Sequence, residues 1–317
     1  MQGPAFSAFP LMTGWAKPWV MSRRLFDLPY LLLSLAALFW AGNFIIARAV
    51  HGIVPPFGLV FWRWFGAFLI LTPFAIKAVR ADWPTLKQHW FIVLALALLG
   101  VASFNALVYL GLQSTTALNA LLLQSAMPLL IVAFGWILFR DAVKPLQGFG
   151  IALSLIGAAA IVGRGDWQAL AGLGLNIGDV LIFIAVALWA VYSVLLRKRP
   201  KMHPLTFTYA TVAVSVIVLA PLYGWESFTG SPMQINWPTI GAVAYVAIFP
   251  SILSYTFWNR GVDLIGANRA GLFIHLMPLF GSFMAIAFLG EALQLYHLLG
   301  AALILVGLVI ASRRKSS

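Results

Sequence analysis

Any chemistry in this chain has to come from a few polar side chains set singly into apolar sequence, among them Asn43, Asn105, Tyr109, Gln124, Ser125, Tyr192, Tyr255 and His275. None of the spacings that build a hydrolytic centre accompanies them. Paired carboxylates, an H-E-x-x-H run and a serine–histidine dyad at a recognisable spacing are all missing, so an enzyme is not expected. The chain has no Cys, which removes disulfides, thiolate metal sites and a cysteine nucleophile. It also lacks the G-x-x-x-x-G-K-S/T phosphate cradle, so ATP does not drive a cycle through it, and neither metal nor cofactor is expected.

The solvent decides what such side chains are for. Hydrophobic residues make up 62% of the sequence and charged residues 9%, with a mean hydropathy of +0.96; a soluble domain carries about 25% charged residues. The chain belongs in a bilayer. There an unpaired polar group is costly, so a polar residue in mid-span faces another helix or water. Bridging to a neighbouring helix is one reading for each of them, and lining a solute cavity is the other. The cavity set is Trp40, Asn43, Asn105, Tyr109, Gln124, Ser125, Trp189, Tyr192, Tyr255 and His275, with Asn119, Ser254 and Asn259 as further candidates. His275 falls near a predicted midplane, where an ionisable group is a functional candidate; a neutral imidazole bonded to a helix carbonyl fits equally. Arg63 is placed either to receive a substrate carboxylate or to pair with Asp179 at a similar depth, and the second is expected. Trp62, Trp64, Trp83, Trp90 and Trp237, near span ends, read as interfacial anchors, and Arg269 as a snorkelling side chain.

Ten apolar stretches of spanning length must position these groups, near 28–50, 56–77, 90–112, 117–139, 145–163, 176–196, 204–224, 238–258, 267–289 and 294–312. Each reaches across a hydrocarbon core of about 30 Å at 1.5 Å per helical residue. Lipid gives backbone groups no partner, so the spans are helices. Connections are short, the longest near 78–89, 164–175 and 225–237, and leave no room for a soluble domain.

The sequence is also written twice. Met127-Pro128 returns as Met277-Pro278, and Gly111, Gly150 and Gly157 return as Gly261, Gly300 and Gly307, all at an offset of 150. Ser125 and His275 share that register; Trp40 and Trp189 match at an offset of 149, Pro73 and Pro221 at 148. Five spans per half make the second half enter the membrane from the opposite side. The expected architecture is therefore all-α, ten transmembrane helices in two inverted five-helix repeats around a central cavity, with a substrate site near the midplane. Its parts are a flexible cytoplasmic tail (1–27), the first repeat (28–163), a linking loop (164–175), the second repeat (176–312) and a basic cytoplasmic end (313–317). Pro128 and Pro278 each delete a backbone hydrogen bond and are expected to kink their helices beside the cavity.

A net charge of +12 invites thoughts of nucleic acid, but its distribution argues for topology. Counting alternate connections puts sixteen Lys and Arg, from Lys17 to Lys315, on one side and Arg48 and Arg164 on the other. By the positive-inside rule both termini are cytoplasmic, and no nucleic-acid partner is expected. The tail shows no convincing cleavage site and reads as the lead into an uncleaved anchor; Met21 also suits a natural start.

The residues LFWAGNF in the first span, FWRWFGA at 61–67 and LFIHLMPLFGSFMAIAFLGEALQLYHLLGAALILVGLVIA at 272–311 resemble the EamA domain of the drug/metabolite transporter superfamily, over essentially the whole chain after residue 27. The spacing from Pro278 to Gly290-Glu291 carries the resemblance; the first copy departs from it, with Arg140-Asp141 at the matching place. Within the family the chain looks most like bacterial YddG-type amino-acid exporters. The resemblance implies a carrier of the bacterial inner membrane in which four helices of each repeat surround a cavity and the fifth stands outside, and one chain is expected to suffice. Small amphiphilic metabolites, aromatic or apolar amino acids foremost, suit a largely uncharged cavity of amides, hydroxyls and rings. Cationic-drug efflux and nucleotide-sugar or sugar-phosphate exchange are the alternatives, set back by the absence of acidic counter-charges and of a Lys/Arg cluster. Without mid-membrane Asp or Glu to relay ions, a facilitator or exchanger is expected, with His275 the one proton-carrier candidate.

Overall fold

The computed structural model describes residues 25–49, 54–115, 120, 123–166, 176–230, 233–289 and 292–312. Asn119, Gly290, Glu291, Met21, the linking loop from 167 to 175 and the basic C-terminus lie outside the described residues. Ten helices follow in chain order among those described: α1 (Pro29–Ala49), α2 (Pro56–Gln88), α3 (Trp90–Gly111), α4 (Met127–Phe139), α5 (Pro145–Val162), α6 (Ile177–Leu195), α7 (Pro204–Thr229), α8 (Trp237–Ile265), α9 (Leu276–Leu289) and α10 (Leu295–Ser312). No strand occurs among the described residues. Helices α2, α3, α5, α6, α7 and α8 are long and apolar enough to cross a membrane, and α1, α4 and α10 contain shorter apolar helices.

Helix starts follow from local chemistry. Proline opens α1, α2, α5 and α7, where its missing N–H costs nothing. Asn176 caps α6 in a capping box with Asp179, and Asn236 caps α8 by accepting from Thr239 N at 2.9 Å. No side chain of its own caps α2. Instead the Glu226 carboxylate, near the end of α7, accepts from Phe57 N and Gly58 N at 3.1 and 2.7 Å, meeting the positive end of the helix dipole.

Three expected boundaries are corrected, one of them the end of α8, which is expected at 258 and lies at Ile265. The connection near 78–89 is helix, because α2 continues to Gln88. At about 50 Å for such a length it outruns the hydrocarbon core, and turns beyond lipid need no apolar side chains, so Arg80 and Lys87 stand exposed. Likewise α7 runs on to Thr229.

Irregular backbone gathers at the middle of the bundle. π-helical segments interrupt α3 at Leu98–Ser103 and α8 at Ala247–Leu253, and the repeat register pairs Gly100 with Pro250. Pro250 has no N–H to give the Val246 carbonyl, and the Ser251 hydroxyl donates to it instead at 2.6 Å. A Cβ on Gly100 would fall 2.3 Å from the Tyr192 ring, so only glycine allows that approach. A turn at Ala126 precedes Pro128, and the stretch before α9 breaks into a short helix (Ala267–Ala270) and a 3₁₀ run (Gly271–His275) ahead of Pro278.

Helices α5 and α10 lie against each other on glycine. A Cβ at Gly150 would come within 2.6 Å of the Gly307 carbonyl, and one at Gly157 within 2.7 Å of the Gly300 carbonyl. Rising numbers on one helix meet falling numbers on the other, so the pair is antiparallel. Ser154 Oγ donates across the contact to the Ile304 carbonyl at 3.3 Å.

Candidate functional site

A cavity opens among α1, α2, α3, α4, α6, α8 and α9, lined by Trp40, Asn43, Asn105, Tyr109, Gln124, Trp189 and Tyr255 from the sequence-derived set. Arg63, Phe104, Val108, Met127, Ile274 and Met277 complete the wall, and α5, α7 and α10 contribute nothing to it. Space for water centres is about 40 Å³, room for a few waters. Gln124 and Ile274 stand four residues before Pro128 and Pro278, which have no N–H to give their carbonyls.

Five aromatic rings, Trp40, Phe104, Tyr109, Trp189 and Tyr255, stand in the wall. Trp40 and Trp189 meet edge to face with ring centroids 5.3 Å apart, and Tyr255 stands perpendicular to Trp189 at 5.2 Å, the geometry that ring quadrupoles favour. Trp40 Nε1 donates to the Pro250 carbonyl at 3.0 Å. Tyr255 donates to the Gly100 carbonyl at 2.7 Å and accepts from Asn105 Nδ2 at 3.1 Å. Both π segments thus present carbonyls to the ring cluster.

Residues that correspond in the two halves also touch. Asn105 and Tyr255 are 150 apart, as are Ser125 and His275, whose Nε2 lies 2.9 Å from the Ser125 carbonyl. Tyr109 donates to Asn43 Oδ1 at 3.4 Å, and Tyr192 donates to Asn259 Oδ1 at 2.6 Å. Under the repeat register these are one pair with the residue types exchanged. Asn259 also lines a wide vestibule, about 630 Å³ for water centres, with Asp27, Arg199, Arg260 and Asp263 at its rim. Arg199–Asp263 and Arg260–Asp27 ion pairs, each 2.6 Å, brace that basic end. Tyr192 packs against Trp189 at 5.2 Å, so Asn259, Tyr192 and Trp189 stand between vestibule and cavity.

Three expectations at this site need revision. Arg63 does not pair with Asp179, whose carboxylate instead accepts from Asn176 N in the α6 capping box and from the Thr115 hydroxyl. Arg63 is 2% exposed and faces the cavity; its Nε donates to Ser251 Oγ at 2.5 Å, its Nη2 to the Pro250 carbonyl at 3.3 Å, and it lies 5.0 Å over the Trp64 ring. Trp64 is not an interfacial anchor but fully buried, perpendicular to Tyr255 at 5.1 Å. Ser125, Tyr192 and His275 do not reach the cavity surface; all three are buried in contacts between halves, and His275 Nε2, 2.9 Å from the Ser125 carbonyl, carries a proton and donates it to that oxygen. Arg63 was discoverable from its depth and from Ser251 beside Pro250, a donor-poor proline next to an acceptor.

Helices of this length and apolarity around a mainly apolar cavity set with a few polar side chains fit a multi-pass membrane protein. The EamA-like transporter family model matches residues 27–163 and 176–313, and the chain belongs to that family. It is 29% identical over 290 residues to "Uncharacterized transporter YyaM" of Bacillus subtilis (strain 168), covering 89% of this chain and 93% of that one. Similarity to an "Uncharacterized transporter" of Archaeoglobus fulgidus is also 29% over 290 residues, covering 90% and 98%. A WAT1-related chloroplastic protein of Arabidopsis thaliana is 24% identical over 288 residues, 86% of this chain and 67% of that one. One solved crystal structure superposes with a TM-score of 0.74 at 19% identity, covering 90% of this chain and 96% of its own, which speaks for the fold. The chain is a membrane transporter.

Proposed function

We propose that this transporter carries small amphiphilic metabolites, aromatic or apolar amino acids foremost, outward across the bacterial inner membrane, as YddG-type exporters do, with both termini cytoplasmic. The observation that carries this reading is the ring-and-amide cavity between the halves, with a wide vestibule on the basic side. Ten spans in two inverted repeats are supported by the antiparallel α5–α10 contact and by corresponding residues meeting one another, as they do at a two-fold axis. The exchanged Asn–Tyr pairs are the natural gates. Tyr192–Asn259, tight at 2.6 Å, closes the vestibule side; Asn43–Tyr109, loose at 3.4 Å, is the matching closure about 20 Å farther along α1 from the vestibule. Alternating access exchanges which pair is tight. An amino acid needs more room than the present cavity gives, so the walls part on binding.

Counterflow in protein-only liposomes tests this. Phenylalanine is expected to exchange at the same rate with and without an imposed pH gradient, while phosphorylated sugars do not exchange. Tyr109→Ala and Trp189→Ala are expected to cut flux by about tenfold. Strong acceleration by the gradient would overturn the facilitator reading, and unchanged flux in both variants would remove the site.

A further inference from the structure

We infer that the cavity recognises the carboxylate of its solute, with Arg63 as anchor, and so selects carboxylates and zwitterions over organic cations; this rests on the carrier reading above. Arg63 spends two N–H groups, on Ser251 Oγ and the Pro250 carbonyl. A guanidinium has about five such donors, and Arg63, itself part of the cavity wall, has no further hydrogen bond among the described residues. No Asp or Glu lines that cavity or pairs with Arg63 among the described residues, so the guanidinium rests on the Trp64 ring and two neutral oxygens, in a medium where an ion without a counter-charge is costly.

Two further N–H donors, on side chains of the same wall, have no hydrogen-bond partner among the described residues. Trp189 Nε1 and Gln124 Nε2 are both orphaned, on side chains 2% and 5% exposed. Trp64 and Trp258 also carry unpartnered indole N–H groups, but neither lines the cavity. A wall with several spare donors and one net positive charge matches a group that is all acceptor and singly negative. That group is a carboxylate, held on the guanidinium fork by two parallel bonds. A phosphate dianion would leave one charge unbalanced, and an ammonium would meet like charge. Position decides the rest: Trp40, Phe104 and Tyr255 receive the apolar body while the carboxylate turns to α2.

Three solutes sharing one phenyl ring separate the possibilities: hydrocinnamate (anion), L-phenylalanine (zwitterion) and phenethylamine (cation). Equilibrium dialysis with the purified full chain is expected to show hydrocinnamate and phenylalanine binding, and phenethylamine weaker by about tenfold or more. Arg63→Gln is expected to weaken hydrocinnamate by about tenfold to a hundredfold without weakening phenethylamine, and Arg63→Lys to recover part of the loss. Should Arg63→Gln not fold, Trp189→Phe keeps the ring, deletes the orphan donor and is expected to weaken hydrocinnamate several-fold. Preference for phenethylamine, no hydrocinnamate binding, or equal hydrocinnamate affinity in wild type and variants would overturn the inference. Hydrocinnamate binding without counterflow keeps the anchor and removes the carrier reading; counterflow of phenethylamine alone does the reverse.

Discussion

Arg63 shows how residue-scale reading succeeds and where it stops. The cost of polar groups in lipid picks out side chains that must find partners, and Asn43, Asn105, Tyr109, Gln124 and Tyr255 among those so chosen line one cavity. Cost alone does not name the partner. Asp179 looked available to Arg63 by depth, yet Asn176 three residues earlier already specified a capping box, a local signal that outranks a matched depth. The Asn–Tyr pairs were illegible for another reason, because donor and acceptor change places between halves and leave no identity to align. At the basic end, Arg197 holds the Asp141 carboxylate through two bonds and its guanidinium lies 4.1 Å over Phe139. The hydrogen bond from Arg197 keeps the Asp141 pKa below its ordinary value. A folded-state pKa that is depressed stabilises above the unfolded pKa of about 3.9 and loses that contribution as pH falls through the folded value. Asp141→Asn is therefore expected to lower stability at pH 7 by no more than about 1 kcal/mol, since the pair is part exposed, and to match wild type near pH 2; equal melting temperatures at both pH values would contradict it.

Helices themselves were legible because bilayer thickness and apolar run length constrain each other, and the expected spans 90–112, 145–163 and 176–196 lie within two residues of α3, α5 and α6. Beyond the lipid that constraint lapses, which is why α2 and α7 outran their expected ends. The π segments escaped notice too: only Pro250 marks one in sequence, and the α3 segment has no proline. Glycine spacing on α5 and α10 is visible as the return of Gly150 and Gly157 at Gly300 and Gly307, but that these two helices pack on each other is not. The structure makes that contact strict, since carbonyls lie where a Cβ would go. Gly157→Ala and Gly300→Ala are each expected to destabilise by about 1–3 kcal/mol through overpacking, outweighing the gain of about 1 kcal/mol from alanine's helix propensity. Gly148→Ala, with nothing within 4 Å of the added carbon, is the control and is expected to be neutral or stabilising. Thermal unfolding in detergent reads all three, and indifference at Gly157 and Gly300 would mean the helices are not packed this closely.

For the molecule as a whole, duplication explains why corresponding residues meet at the centre and why the polar pairs at its two ends are the same pair reversed. On the function proposed above, the two pairs are equivalent closures around one cavity and open in turn. The chain has no cysteine, so a single introduced thiol reports without background. Val108, in the cavity wall, is the position to use: Val108→Cys is treated with a small membrane-impermeant methanethiosulfonate reagent in right-side-out and in inverted vesicles. Alternating access predicts modification from both faces, slowed from both by saturating phenylalanine. Modification from one face only, whatever solute is present, would contradict it.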